Sequence, residues 1–363
     1  MKDDYGFVSF EQVEVQRESF EAYTHERLRP DRCHGEWTFR LTNATAMLIN
    51  TGTDENGFPK ERKGEKTWLK SKHPGHEGQP VIPGSSLKGM IRSLYECLTH
   101  SCLFQVAGKY SDYQRKGKVL EPQPMEVPPL YPEQYGLRPC KDVNQLCPAC
   151  RLFGTVPPGK NAVAWKGRVF IGDGLLDRGQ DTQMGRLTLP ILSTPRPKGR
   201  PDSQQYPDYF PGGSMAGRKR YQARTRTKTV VMNHHRRTHD SGLQETSGET
   251  LKPNNHFTVR VRYQNLTHAE VGMLLHTILL EKGQRHLLGT AKAHGWGACH
   301  LKLKSWQTID PEARYRGETG IKDLTEQERR EEARRLLAKA ANTGLYHPAA
   351  FENLRNFLTP ASI

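Results

Sequence analysis

Seven cysteines occur in 363 residues, and three of them fall together as Cys140-x6-Cys147-Pro-Ala-Cys150. Two thiolates separated by two residues clamp one side of a tetrahedral metal, and a third lies close by, so this segment reads as a knuckle short of one ligand. Cys102 stands at the start of the same stretch, and binding it would staple both ends of an otherwise unstructured excursion over 102–150. His100 and Cys97 are its competitors for the fourth position. The plain alternative is a set of ordinary buried or free cysteines. Four protein ligands leave no open position for water, so the expected zinc is structural rather than catalytic.

A second group of residues suits phosphate. Lys88 and Arg92 lie one turn apart near the start of a predicted helix, directly after Pro83-Gly84-Ser85-Ser86. A cation there opposes the helix dipole unless an anion compensates it, and backbone N–H groups with the Ser85 and Ser86 hydroxyls form a ready anion site. A solvated helix face is the bland alternative. Arg218, Lys219, Arg220, Arg224, Arg226, Lys228, Arg236 and Arg237 crowd into a short stretch with Tyr221 among them, supplying phosphate contacts and a stacking surface. His234, His235 and His239 in and beside that stretch would suit acid/base or ligand chemistry, but no Cys or carboxylate stands at a ligand spacing from them. The loop Gly289-Thr-Ala-Lys292-Ala-His294-Gly295-Trp296-Gly297 lets a nucleic-acid backbone approach closely; lacking Gly-Lys-Ser or Gly-Lys-Thr, it is no Walker loop.

Composition agrees with a polyanionic partner. Lys and Arg number 54 against 39 Asp and Glu, a formal net charge of +15. Apolar residues make up only 35%, so the core is modest for the length and long polar inserts are expected. No run approaches the roughly 18 apolar residues of a membrane span, and MKDDYGFVSF lacks the pattern of a signal peptide, so a cytoplasmic location is expected. An odd number of cysteines in such a compartment favours metal ligation over disulfides. Collagen, coiled coil, secreted mini-protein and membrane protein are excluded.

These groups need elements to hold them. Phe257, Val259, Val261 and Tyr263 alternate with Thr258, Arg260, Arg262 and Gln264, predicting a strand with one buried and one basic face. Further strands are expected over Trp37 to Leu48, Arg168 to Leu176 and Ala298 to Trp306. Leu87, Met90, Ile91, Leu94, Tyr95 and Leu98 follow the helical stripe, leaving Lys88 and Arg92 off it. A second helix opens with the capping box Thr267-His-Ala-Glu270 and stops at Lys282-Gly283. Strand, helix, strand, strand, helix, strand is the order of an α+β ferredoxin-like sandwich of four antiparallel strands and two helices. The expected domain spans 1–309, with its core at about 37–50, 81–101, 163–177 and 253–306. It is interrupted at roughly 50–80, by a knuckle insert over about 102–162, and by a Pro-, Gly- and Arg-rich insert over about 178–252 that protrudes as an arm and orders on a partner. Residues 310–363, with a capping box at Thr325-Glu-Gln-Glu328, form a C-terminal helical appendage.

Pro80-Val-Ile-Pro-Gly-Ser-Ser-Leu-Lys-Gly-Met-Ile-Arg92, Leu146-Cys-Pro-Ala-Cys-Arg-Leu-Phe-Gly154 and the closing Gly-rich loop together resemble the RAMP superfamily of CRISPR effector proteins. More narrowly they resemble the Cas-seven-like backbone subunits of type III and type III-derived complexes, type VII included, over about 37–305. The resemblance implies a modified RNA-recognition-motif fold with a zinc knuckle and a β-hairpin thumb, and antiviral defence as the setting. It implies that several copies stack along a guide RNA (crRNA), with other effector subunits as partners. On that analogy Lys88 and Arg92 hold the guide backbone, the closing loop supports it, and the 178–252 insert is the thumb dividing guide and target into short segments. Base pairing would read the sequence, while the protein holds RNA by shape and charge. Cleaving members carry an aspartate in the loop ahead of the Ile-Pro-Gly-Ser-Ser motif, whereas Thr67 to Glu77 holds none here. A scaffold that leaves cutting to a separate nuclease is therefore expected. The rival is an endoribonuclease using Asp54 or Glu55 on target RNA, or the histidines at 234–239 on precursor RNA; a further rival is a freestanding zinc-knuckle RNA or DNA regulator.

Overall fold

The computed structural model describes residues 5–19, 25–49, 68–103, 110–116, 119–125, 135–156, 163–180, 184–189, 215–226 and 246–361. An antiparallel sheet organises them. Its eight strands are β1 (Cys33–Asn43), β2 (Val81–Ile82), β3 (Val169–Ile171), β4 (Gly174–Leu176), β5 (His256–Leu266), β6 (His286–Leu287), β7 (Ala298–Ile309) and β8 (Ile321–Asp323). The order across the sheet is β6-β7-β1-β5-β4-β2, with β3 also on β5 and β8 also on β7. The four strands expected from the sequence thus stand side by side as fourth, first, third and second, in a mixed α+β fold.

Boundaries differ from expectation for local reasons. β1 begins before Trp37 and ends at Asn43, whose buried side-chain amide donates to the carbonyls of Thr45 (3.0 Å) and Lys252 (2.8 Å) and turns the chain. The expected strand at 168–176 is broken at Gly172-Asp173, because Asp173 turns its carboxylate to accept the backbone N–H of Gly84 (2.7 Å).

Alternation sets the core. Phe257, Val259, Val261 and Tyr263 of β5 are buried, while Arg260 and Arg262 between them are exposed on the opposite face. Trp37 of β1 packs against Tyr263 and Trp306, and the Trp306 indole donates to the Tyr263 hydroxyl (2.9 Å). Two helices cover this layer: α1 (Gly84–Leu98) through Leu87, Ile91 and Leu94, and, beyond the short α2 (Pro148–Phe153), α3 (His268–Leu279) through Val271, Leu274 and Leu275. Burying each such side chain contributes about 1.5–3 kcal/mol. The capping box of α3 forms as expected, Glu270 N–H donating to Thr267 Oγ1 (3.1 Å) and Thr267 N–H to Glu270 Oε2 (2.9 Å).

The C-terminal segment folds as α4 (Pro311–Tyr315), α5 (Glu326–Asn342) and α6 (Pro348–Leu358), and it packs on the body. α5 approaches α3 so closely that a Cβ at Gly272 would strike the Leu336 carbonyl. His347 N–H donates to Leu98 O (3.0 Å) at the end of α1. Among the described residues no helix is long and apolar enough to cross a membrane.

Within the 178–252 insert, Met184–Leu189 pairs antiparallel with Thr246–Leu251 as a hairpin stem. Residues 215–226, expected in the protruding arm, instead return to the body: Arg218–Tyr221 pairs antiparallel with Tyr5–Val8. Ala223 N–H donates to Phe357 O (2.8 Å) and Thr225 N–H to Ala361 O (3.2 Å). Partners for these backbone groups come from both chain ends, which no local pattern announces.

Candidate metal centre and nucleic-acid interface

Cys102, Cys140, Cys147 and Cys150 converge with their Sγ atoms all within 4.8 Å of one another, each side chain buried. Cys102 Sγ lies 3.6 Å from both Cys147 Sγ and Cys150 Sγ. A tetrahedron with metal–sulfur bonds of about 2.3 Å has edges of about 3.8 Å, so four thiolates in this arrangement fit a tetrahedral ion. His100 Nε2 bonds the Val13 carbonyl (2.8 Å), and Cys97 Sγ lies 2.9 Å from an Arg220 nitrogen, so both sequence competitors are engaged elsewhere.

Donors surround the cluster. Cys147 N–H points at Cys140 Sγ (3.3 Å), and Ala149 N–H donates to Ser101 Oγ (3.0 Å), fixing the turn that carries Cys147 and Cys150. Burial disfavours every thiolate of the cluster, and hydrogen bonds among the thiols bring Cys147 and Cys140 below the usual range while Cys102 and Cys150 stay above it. Behind α2, Arg151 and Arg168 face Glu270. The wholly buried Arg168 reaches Glu270 Oε1 at 2.7 Å and Oε2 at 3.2 Å, and Arg151 lies 3.7 Å from Oε1. These guanidinium groups overcome the burial penalty and keep the Glu270 carboxyl below its ordinary range.

A groove follows the open face of α1. Ser85, Gly89 and Ser93 recur every four residues, so one helix face is a floor of small side chains on which a backbone can lie close. The first part of the groove is a cleft of about 680 Å³ whose walls include Lys88, Lys166, Lys219 and Arg220. The second, about 450 Å³, shares Gly89, Ser93, Lys219 and Arg220 with it and adds Arg285 and Lys292. Four segments far apart in sequence therefore bring cations to one helix face. Burial lowers Lys88, with Arg92 adding to the effect, and burial likewise lowers Lys219 and Lys292; an anion in the groove would favour their charged forms.

The sequence candidates divide accordingly. Ser85, Ser86, Lys88, Lys219, Arg220, Tyr221 and Lys292 line the groove. Lys219 Nζ lies 4.0 Å from the Tyr5 ring centre and 5.0 Å from that of Tyr221. Arg92 and Arg218 touch the groove but are not the exposed cations expected. Arg92 is 13% exposed, donating to Glu96 Oε1 (2.8 Å) and Gly154 O (2.7 Å). Arg218 pairs with Glu96 (3.4 Å) and donates to the Ser101 carbonyl. Arg224 is buried beside Gly295, and Arg226 and His294 lie near that turn without lining the groove.

Trp296 departs from expectation. Its indole is 2% exposed inside the core, because the left-handed glycines on either side turn it inward. Asp54, Glu55, Lys228, His234, His235, Arg236, Arg237 and His239 lie outside the described residues. Sequence reasoning missed Lys166, Arg285 and the Tyr5–Val8 strand, none of which carries a motif. The outer face of the sheet, with Arg40, Arg260, Arg262, Lys302 and Lys304, is basic as the alternation predicted.

The family description "RAMP superfamily" matches residues 40–300 of the chain. Among solved structures, a chain titled "Type IV-B CRISPR Complex" is similar at 16% identity, with 74% of this chain and 90% of that chain covered and a TM-score of 0.37. No curated protein matches the chain.

Proposed function

The chain belongs to the RAMP superfamily, and from that premise we propose that it is a guide-RNA-binding backbone subunit of a CRISPR effector complex. Several copies stack along the guide RNA and present it for pairing with target RNA, leaving cleavage to another subunit. The observation that carries this reading is the groove on α1, where Lys88, Lys219, Arg220 and Lys292 converge from separate segments over a floor of small residues. Cations around a shallow, extended track suit a phosphate backbone held without reading its bases. The 54 basic residues let each repeated copy neutralise a further stretch of the shared polyanion.

In this reading Ser85, Ser86, Lys88, Lys219, Arg220, Tyr221 and Lys292 contact RNA directly, and Arg92 and Arg218 shape the groove from beneath. Cys102, Cys140, Cys147 and Cys150 hold a structural zinc, which supplies no reaction and fixes the ends of the 102–150 insert. Thiolates and tetrahedral spacing favour zinc over hard cations that prefer oxygen.

The test is to purify the protein with its guide RNA, then add labelled complementary RNA and magnesium. Particle mass that grows with guide length, with the target left intact, is the expected result. Cuts at regular intervals that vanish on Asp54→Ala would make this subunit a nuclease, and a particle without RNA would overturn both readings.

A further inference from the structure

Arg92 stands where the thiol cluster and the groove meet. Its three nitrogens have three acceptors: Nε donates to Glu96 Oε1 (2.8 Å), Nη1 to Gly154 O (2.7 Å) and Nη2 to Cys150 Sγ (3.4 Å). Lys88, one turn earlier on the same helix, lines the groove alongside Arg92. On the other side, Arg218 pairs with Glu96 Oε2 (3.4 Å) and reaches the Cys102 carbonyl (3.4 Å). Glu96, 11% exposed, is thus held between two arginines, each of which also touches a residue of the thiol cluster.

The electrostatics give this chain of contacts a direction. Four thiolates around a divalent ion leave a net negative charge in a buried place, and such a centre requires donors aimed at its sulfurs. The Cys147 N–H serves Cys140 in this way, and Arg92 serves Cys150 with a full positive charge. The same guanidinium fixes Gly154, a wall of the groove. We propose that Arg92 is a positioning residue that couples the metal centre to the groove: the metal-bound thiolate of Cys150 fixes its fork, and through Glu96 and Gly154 the fork fixes Arg218 beneath the groove and the wall that receives RNA. This inference rests on the groove binding RNA. Linkage makes the coupling reciprocal, so RNA in the groove must tighten the metal by the factor by which the metal tightens RNA.

The experiment uses the full-length zinc-loaded chain, as wild type, Arg92→Gln and Arg92→Lys. Zinc release to a chromogenic chelator is timed with and without a single-stranded RNA oligonucleotide, RNA affinity is measured in parallel, and cobalt(II) replaces zinc for the thiolate charge-transfer band. Arg92→Gln is expected to weaken zinc retention about tenfold, as removal of an outer-shell partner does. It is also expected to shift the cobalt band and to abolish the slowing of zinc release by RNA. Arg92→Lys keeps the charge without the fork and recovers RNA affinity more than zinc retention. Unchanged zinc release in Arg92→Gln, or RNA slowing release as strongly in the variant as in wild type, would overturn the proposal. If Arg92→Gln does not fold, an unshifted cobalt band in Arg92→Lys overturns it. A wild type that binds zinc but no RNA would instead sink the groove reading, while zinc release without RNA still decides whether Arg92 serves the metal centre.

Discussion

The thiol knuckle and the α1 groove share a border, yet they use charge in opposite ways. In the knuckle region the buried arginines are spent internally: Arg168 and Arg151 neutralise Glu270, and Arg92 and Arg218 pair with Glu96 and donate to carbonyls. In the groove, Lys88, Lys219 and Lys292 come together along one concave face, and burial lowers all three. Positive charge that is paired and buried holds structure, whereas positive charge gathered along a concave surface attracts a polyanion.

The sharpest way to break this contrast is to remove the metal. Cys147→Ser, or a strong chelator on the wild type, should cost on the order of 5 kcal/mol or more in unfolding free energy, since structural zinc binding is folding energy. Thermal unfolding with and without added zinc checks it, and equal stability of both forms would deny the cluster a metal role. Next in size is the buried ion pair. Glu270→Ala leaves Arg168 uncompensated at 0% exposure and removes one half of a capping box, a loss of about 3–5 kcal/mol in urea denaturation.

A smaller effect depends on pH. Burial, with Arg220 nearby, lowers His286 to about 4, and its Nε2 bonds Ile278 O at 2.9 Å. An unfolded histidine takes its proton near 6.5, so between 6.5 and 4 the unfolded chain binds more protons than the folded one. Stability is therefore fully present above pH 6.5 and falls as the pH drops towards 4, by about 2 kcal/mol between pH 7 and 5 from this residue. His100, lowered to about 4 by burial, acts in the same direction. Unfolding curves that coincide at pH 7 and 5 would contradict this.

The smallest change falls on binding alone. Lys88→Ala with Lys219→Ala should leave the unfolding midpoint nearly unchanged and weaken single-stranded RNA binding roughly tenfold. The slope of log affinity against log salt should become shallower by about 0.7 for each phosphate contact removed. An unaltered slope would move RNA off the groove and onto the basic outer face of the sheet.

The amino-acid sequence by itself determined whatever depends on near neighbours along the chain. Period-two alternation at Phe257–Tyr263 gave the strand and its basic face, the Thr267/Glu270 and Thr325/Glu328 boxes gave two helix starts, and the Cys147/Cys150 spacing gave the knuckle. Each follows from geometry repeated within a few residues. Tertiary structure alone decided Cys102 over His100 and Cys97 in the thiol cluster, the burial of Trp296, and the return of Arg218–Tyr221 onto α1 against the Tyr5–Val8 strand. It also decided which arginines are consumed within the fold. Arg92 and Lys88 read alike in sequence, but only contacts between residues far apart along the chain, Gly154 and Cys150 among them, make one a brace and leave the other facing the groove. Spacing along α1 records the Arg92–Glu96 pair four residues apart, but the distant partners that complete a charge's surroundings are chosen by packing in three dimensions.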